Sequence, residues 1–208
     1  MKVLSALEAF AAGPVEGAED RAAAFEALDV TRRAEFLSAL GEAGPLERWA
    51  EAVFSVIRKT EFGLLDLFLQ RRAADPEKTL FQDMSAPVPV QWSYEQIDRR
   101  TRLIAAAFHA LAADPARGPR VAIFSENTVE SAAADLACLF YDILDTPLNT
   151  HFDQDVLAGI FDRLSIDIAV VDVKERAELL ERVRGRTARP FTIVTTDRAA
   201  APESDSVI

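Results

Sequence analysis

Cysteine, histidine and glycine are scarce in this chain, and each scarcity excludes a kind of site. Cys138 is the single cysteine, so no internal disulfide can form, which fits a reducing compartment. His109 and His151 are the only histidines, and neither has the neighbouring Cys or His that a metal centre needs. The eight glycines are scattered and form neither G-x-G-x-x-G nor a P-loop, so a nucleotide-binding fingerprint is absent.

Basic side chains are also in deficit, with 23 Lys and Arg against 34 Asp and Glu and a net charge of -11. So acidic a surface argues against binding nucleic acid or anionic lipid through bulk charge. The first twenty residues are too short and too interrupted for a signal peptide or a membrane span. The cytoplasm is therefore the expected location.

Residues 1–62 carry only helical patterns. Asp29 is a candidate cap for an early helix, and Pro45 suits the first position of a later one. In that later helix, the apolar residues recur at spacings of three and four: Leu46, Trp49, Val53 and Val56. Two interpretations stay open for this segment, a docking or dimer-forming module and a helical cap that packs on the main domain.

Residues 63–196 mix strands with helices. "TLFQD" and "VPVQWSY" predict a hairpin, and Ser93 with Gln96 predicts a capping box at the start of a long helix. From 119 to 196, short apolar strands alternate with helices. This alternation predicts an α/β fold, a parallel doubly wound (Rossmann-like) sheet with flanking helices, preceded by the all-helical segment. Residues 197–208 lack a core pattern and indicate a linker or a truncated end.

The junction in "VAIFSENTVES" stands where ligands bind in α/β proteins, at the carboxyl end of a strand. Two interpretations are open for this stretch. It could bind a ligand, or it could start a helix, with Asn127 as the cap and Glu130 in the first turn. The turn contains no glycine, so its backbone is poorly suited to approach a phosphate.

Other candidate residues have structural explanations. Cys138 lies in "DLACLF" and is expected to be a small core residue, and His109 a structural or surface residue beside an apolar stripe. His151 with Asp153 could act as a general base, but Asp153 is also a natural helix cap, and the structural role is preferred. The paired arginines are expected on solvated helix faces: Arg32–Arg33, Arg71–Arg72 and Arg99–Arg100. We therefore predict no catalytic, cofactor-binding or metal-binding residue in this chain.

Four segments, in this order, resemble the start of a known family: "LLDLFLQRRAADPEKTLFQD", "WSYEQIDRRTRLIAAAFHAL", "GPRVAIFSENTVESAAADLACLF" and "DTPLNTHFDQDVLAGIFDRLSIDIAVVD". The family is that of the adenylate-forming enzymes, which include AMP-forming acyl-CoA synthetases, luciferases and peptide-synthetase adenylation domains. "SEN…ADLACL" is most similar to the long-chain fatty acyl-CoA ligases. The resemblance covers about 63–196. Ser131 departs from it where a Trp is common, and Tyr141-Asp142-Ile143 where "aGa" is usual.

The resemblance implies the N-terminal part of an ATP-dependent ligase that adenylates a carboxylate and then forms a thioester. ATP, Mg and coenzyme A are implied for the full-length enzyme. The "TSGTTGxPKG" phosphate loop and the later catalytic lysine are missing from these residues, so the chain alone is expected to be inactive. Its expected partner is the remainder of its own polypeptide, and a homodimer is left open. The alternative is a stand-alone binding or scaffold module derived from this fold.

Overall fold

A computed structural model describes residues 2–43, 46–84 and 87–196. The chain divides into two compact units, Met1–Ala73 and Ala74–Ile208, called the helical unit and the sheet unit below. This division falls near the end of a helix. The sequence-based boundary between 62 and 63 remains a prediction.

Among its described residues, the helical unit contains α1 (Lys2–Ala12), α2 (Gly17–Thr31), α3 (Ala34–Ala43), α4 (Leu46–Thr60) and all but the last residue of α5 (Leu64–Ala74). Leu7, Leu28 and Val56 are fully buried and bring α1, α2 and α4 together. The predicted cap Asp29 is wrong, because it lies inside α2 and pairs with Arg33 one turn later. Pro45 lies outside the described residues.

Lys59 joins α4 to the end of α1. Its amine donates hydrogen bonds to the carbonyl oxygens of Ala11 and of Gly13, the latter at 2.9 Å. The last carbonyls of a helix lack partners within the helix and carry the negative end of its dipole. A cation from the neighbouring helix satisfies both needs.

The sheet unit begins with the predicted hairpin, in which β1 (Thr79–Asp83) pairs antiparallel with β2 (Val90–Ser93). Helix α6 (Tyr94–Leu111) follows directly. Its capping box is confirmed, since Ser93 accepts a hydrogen bond from the Gln96 backbone and the Gln96 side chain accepts one from the Ser93 backbone. This reciprocal pair fixes where the strand turns into the helix.

Four parallel strands form the main sheet in the order β4-β3-β5-β6, which confirms the predicted α/β fold. Its elements are β3 (Arg120–Phe124), α7 (Val129–Phe140), β4 (Leu144–Pro147), α8 (Gln154–Leu164), β5 (Ile168–Val171), α9 (Lys174–Arg184) and β6 (Thr192–Thr195). The central strand β5 is buried along its whole length because helices cover both faces.

Alternating side chains of β3 and β5 face two separate cores. Val121 and Ile168 point toward α6 and α7. Phe124 and Val171 point toward α8 and α9. Each fully buried side chain of this size contributes about 1.5–3 kcal/mol, so both faces of the sheet stabilise it.

An ion pair joins β3 and β5 at their amino ends. Arg117 donates to both carboxylate oxygens of Asp167 at 2.6 Å, and the same carboxylate accepts the Arg120 backbone N–H at 3.0 Å. Asp167 is buried, so these three hydrogen bonds offset the desolvation of its charge.

Candidate functional site

The connections of the main sheet reverse direction between β3 and β5. Helix α7 leads from β3 to β4 on one side, and α9 leads from β5 to β6 on the other. Ligands of open α/β sheets bind in the crevice outside the carboxyl ends of such strands. Ser125 and Glu126 follow β3 and Asp172 follows β5, so the conspicuous "SEN" stretch lies at the expected place.

The protein's own side chains close this crevice. The Glu126 backbone N–H donates to Asp172 Oδ2 at 2.9 Å, and Thr150 Oγ1 donates to Glu126 Oε1, also at 2.9 Å. Arg176 donates to Glu126 Oε1 at 2.6 Å and also to Asp172 Oδ1. These four residues, called the carboxyl-end cluster, connect the turns that follow β3, β4 and β5.

The inner half of the carboxyl-end cluster is largely shielded from water. The side chains of Asp172 and Arg176 are 9% and 17% exposed, whereas that of Glu126 is 63% exposed. Burial alone would raise the pKa of Asp172, but hydrogen bonds from Arg176 and from the Glu126 N–H outweigh it and hold that pKa below its ordinary value. The Arg176 guanidinium also lies 6.0 Å from the centroid of the Phe124 ring.

The residues at this crevice do not fit a nucleotide phosphate. A phosphate is bound by uncommitted N–H groups and cations, commonly at a glycine turn. Here the Glu126 N–H and the Arg176 guanidinium are both engaged by carboxylates, and the turn has no glycine. The arrangement braces three loops and presents carboxylate oxygens to the outside.

Thr128, not Asn127, caps α7, so the predicted cap was wrong by one residue. Thr128 Oγ1 accepts the Ser131 N–H at 3.0 Å, and Ser131 Oγ accepts the Thr128 N–H at 3.0 Å. Ser131 Oγ also donates to the Glu126 carbonyl at 2.9 Å. The serine that departs from the family pattern therefore completes a capping box. Sequence reasoning missed it because an acid or amide is the usual partner at that position.

Besides a cavity between β1 and the start of α7, with Asp83 and Thr128 in its wall, two further cavities border α7 in the sheet unit. One, of about 360 Å³, lies between α7 and the end of β4, with Ser125, Asp135 and Leu148 in its wall. Burial, then a hydrogen bond to Asp145 and the charge of that residue, raise the pKa of Asp135 to about 6. The other, of about 220 Å³, is mostly apolar and lies beside Phe108 and Val194, with Arg100 in its wall.

The other residues singled out in the sequence have structural roles. Cys138 is 1% exposed, and burial raises the pKa of its thiol, as expected of a core residue. His109 Nε2 lies 3.0 Å from the Tyr141 carbonyl oxygen at the end of α7. Asp153 Oδ1 accepts the N–H groups of Asp155 and Val156 at 3.0 and 2.9 Å, so it caps α8.

In the loop before α8, the His151 N–H donates to Asn149 Oδ1 at 2.9 Å, while the Asp153 carboxylate is engaged by the first N–H groups of α8. The paired arginines are not all solvated, because Arg32 reaches Gln70 and lies 5.2 Å from the Phe62 ring centroid. Across 2–43, 46–84 and 87–196, no group of three or more His, Cys, Asp or Glu residues could hold a metal ion. Within those same ranges, no helix has the length and apolar character needed to cross a membrane.

A model of the AMP-binding enzyme family matches residues 68–207, more than half of the chain. The chain belongs to the AMP-binding enzyme family. Among curated relatives, long-chain-fatty-acid–CoA ligase 5 of Rattus norvegicus is 24% identical over 93 residues, which is 44% of this chain and 14% of that protein. The chain thus spans only a small part of the length of this family member.

Two solved structures show the same fold. A putative long-chain-fatty-acid CoA ligase from Rhodopseudomonas palustris aligns with a TM-score of 0.58 at 18% identity, over 68% of this chain and 34% of that one. The anthranilate CoA ligase AuaEII, solved with anthranoyl-AMP, also aligns with a TM-score of 0.58, at 14% identity, over 67% of this chain and 26% of that one. These likenesses show the fold alone. The match to the family model confirms the resemblance noted in the sequence.

Proposed function

We propose that this chain is the N-terminal part of an ATP-dependent, AMP-forming acyl-CoA synthetase. Such an enzyme adenylates a carboxylate and then transfers the acyl group to a thiol. The observation that supports this best is the AMP-binding enzyme match over residues 68–207. The name of the rat relative, a long-chain-fatty-acid–CoA ligase, favours a fatty acid as the carboxylate.

In this proposal the chain contributes structural elements of the enzyme and none of its catalytic groups. Adenylation needs electrostatic support for the phosphoryl centre, supplied by a phosphate-binding loop, a cation and a metal ion. The 208 residues contain no "TSGTTG"-like segment, and the carboxyl-end cluster neutralises its own arginine. The phosphate loop, the catalytic lysine and the sites for ATP, Mg and coenzyme A would then lie in the rest of the polypeptide, and the cytoplasm, which supplies these compounds, is its proposed location.

ATP–pyrophosphate exchange tests the proposal. The assay would offer a panel of fatty and aromatic carboxylic acids to the 208-residue chain and to a version extended by the downstream coding region. We expect exchange from the extended version only. Exchange by the 208-residue chain in a clean preparation would contradict the proposal that the groups needed for adenylation lie in the rest of the polypeptide. A stop codon directly after Ile208 would contradict the fragment proposal and favour the binding module.

Association of the short chain supplies a second test. A part removed from a larger domain should leave apolar surface uncovered, and Leu139 and Leu144 of the sheet unit are 53% and 50% exposed. We expect self-association, as a homodimer or larger species, or binding of a hydrophobic dye. A monodisperse monomer that binds no dye would favour a stand-alone module.

A further inference from the structure

The apolar cavity of about 220 Å³ lies where the carboxyl ends of β5 and β6 meet helix α6. Val170 and Val194 line it from the sheet, and Ile104 and Phe108 line it from α6. In open α/β sheets, ligands bind outside the carboxyl ends of the strands. None of the four residues of the carboxyl-end cluster lines this cavity. It is therefore a second place, separate from that cluster, at which this sheet can receive a ligand.

One end of the cavity is cationic. Arg100, one turn before Ile104 on α6, is part of the wall, and its guanidinium lies 4.9 Å from the centroid of the Trp92 ring. The face of an indole attracts a cation and limits the positions that it takes. The Arg100 side chain is still 35% exposed, so a ligand can reach it. A positioned cation at the end of an apolar cavity suits a molecule with an anionic head and an apolar tail.

The protein partner of this cation is a weak one. Among the described residues, Arg100 donates a single hydrogen bond, from Nη2 to Glu130 Oε1 at 3.3 Å. This distance is longer than the usual range for such a bond. Glu130 is itself 30% exposed, and ion pairs in contact with water contribute little stability. A ligand can therefore displace Glu130, or use the other N–H donors of the guanidinium, which suit two parallel hydrogen bonds to a carboxylate or a phosphate.

The volume of the cavity limits the tail of the ligand. An engineered apolar cavity of about 150 Å³ binds benzene, so a cavity of about 220 Å³ holds roughly eight or nine apolar non-hydrogen atoms. Pockets for larger ligands measure about 300–1,000 Å³. The ligand is therefore a small amphiphile and not a nucleotide.

We propose that this cavity binds a medium-chain amphiphile, with its anionic head on Arg100 and its alkyl tail between α6 and the ends of β5 and β6. The head is a carboxylate or a phosphate monoester, which the guanidinium recognises through the same chemistry. Binding takes Glu130, in the first turn of α7, away from its cationic partner. The site consists of residues of the sheet unit alone, so the inference does not depend on the proposed function.

Calorimetric titration of the 208-residue chain with octanoate, octyl phosphate and octanol tests the two ends of the site. We expect saturable binding of at least one anion, and binding of octanol at least about fivefold weaker, because it has no charge for Arg100. The ratio between the two anions identifies the head. In a series of alkyl carboxylates, affinity should rise about fourfold for each methylene and level off near nine carbons, where the cavity is full.

Variants separate the head from the tail. Arg100→Gln should weaken octanoate at least about tenfold and leave octanol within about twofold, because only the anion uses the guanidinium. Arg99→Gln, which removes the same charge at the exposed neighbouring position, is the matched control and should change neither affinity by more than about twofold. Glu130→Gln should strengthen octanoate about threefold, because it removes the competing carboxylate. Ala107→Phe, at an exposed position of the cavity wall, should weaken octanoate and octanol alike.

Trp92 fluorescence reports where the ligand binds. In a Trp49→Phe background, octanoate should change this emission with the affinity that calorimetry gives, because the guanidinium stacks on the Trp92 ring. The proposal is overturned if neither anion saturates the protein at about 10 mM, or if Arg100→Gln weakens octanol as much as octanoate. Binding that is lost once the chain is extended by the downstream coding region would also overturn it, because the cavity would then be a packing surface. If Arg100→Gln does not fold, Glu130→Gln and Ala107→Phe still decide the question.

Discussion

Replacing Arg176 with methionine tests the role assigned to the carboxyl-end cluster. Methionine keeps an apolar stem to pack on Phe124 but removes the hydrogen bonds to Glu126 and Asp172. The lost bond to the exposed Glu126 is worth about 0.2–1 kcal/mol. The buried Asp172 carboxylate loses a charge-assisted bond worth about 1.5–3 kcal/mol. We therefore expect the free energy of unfolding to fall by about 2–3 kcal/mol after allowance for solvent access.

Urea unfolding followed by fluorescence measures this change. Trp92 reports on the sheet unit, and a Trp49→Phe background removes the signal of the helical unit. Arg182→Met, an exposed change on the same helix, is the control and should stay within about 0.5 kcal/mol of the wild type. Adding Asp172→Asn to Arg176→Met should recover more than half of the loss, because the variant then buries no unpaired charge.

The pH dependence adds a condition with a definite sign. The pKa of Asp172 is lowered in the folded protein, so its stabilising contribution is present above the unfolded value of about 3.9 and is lost on acidification below it. The difference between wild type and Arg176→Met should therefore shrink below about pH 4. An Arg176→Met protein as stable as the wild type at pH 7, or a double variant no better than the single, would refute the reasoning.

Two further predictions concern helix ends. In the same urea assay, Thr128→Ala should destabilise the sheet unit by about 1 kcal/mol, because Thr128 caps α7. Asn127→Ala should destabilise it by less than about 0.5 kcal/mol. A larger loss from Asn127→Ala than from Thr128→Ala would show that Asn127 is the cap. Lys59→Met should destabilise the helical unit by about 0.5–1 kcal/mol, because the amine holds the final carbonyls of α1. The neighbouring exposed Arg58→Met is its control, and equal losses from the two changes would show that the carbonyl contacts contribute nothing.

The fold was readable because local patterns and tertiary structure agree. Val170 and Val171 belong to an apolar run too short for a helix, and the structure buries both in the central strand. Ser93 and Gln96 formed the capping box that their spacing indicated. Thr128 was missed because a serine replaced the usual acid or amide, so the hydrogen-bond geometry and not the residue type defines this cap.

The position of the candidate site was predictable, but its contents were not. "SEN" was expected at the carboxyl end of a strand, and it lies there. The partner of Glu126 is Arg176, which is 50 positions later in the chain. No local pattern encodes such a pair, since it depends on which strands become neighbours. The partial burial of Asp135 and Asp145 could not be predicted for the same reason, because it follows from the packing of α7 on β4.

The two arginine–carboxylate contacts that bracket β3 and β5 have a consequence for protein synthesis. Arg117–Asp167 and Glu126–Arg176 each join residues 50 positions apart. During translation, the Glu126–Arg176 contact can form only after the chain has left the ribosome well beyond Arg176. Until then the apolar faces of β3 stay uncovered. Nascent chains that stop shortly before this point should therefore be protease-sensitive in β3, and those that extend past β6 should be resistant.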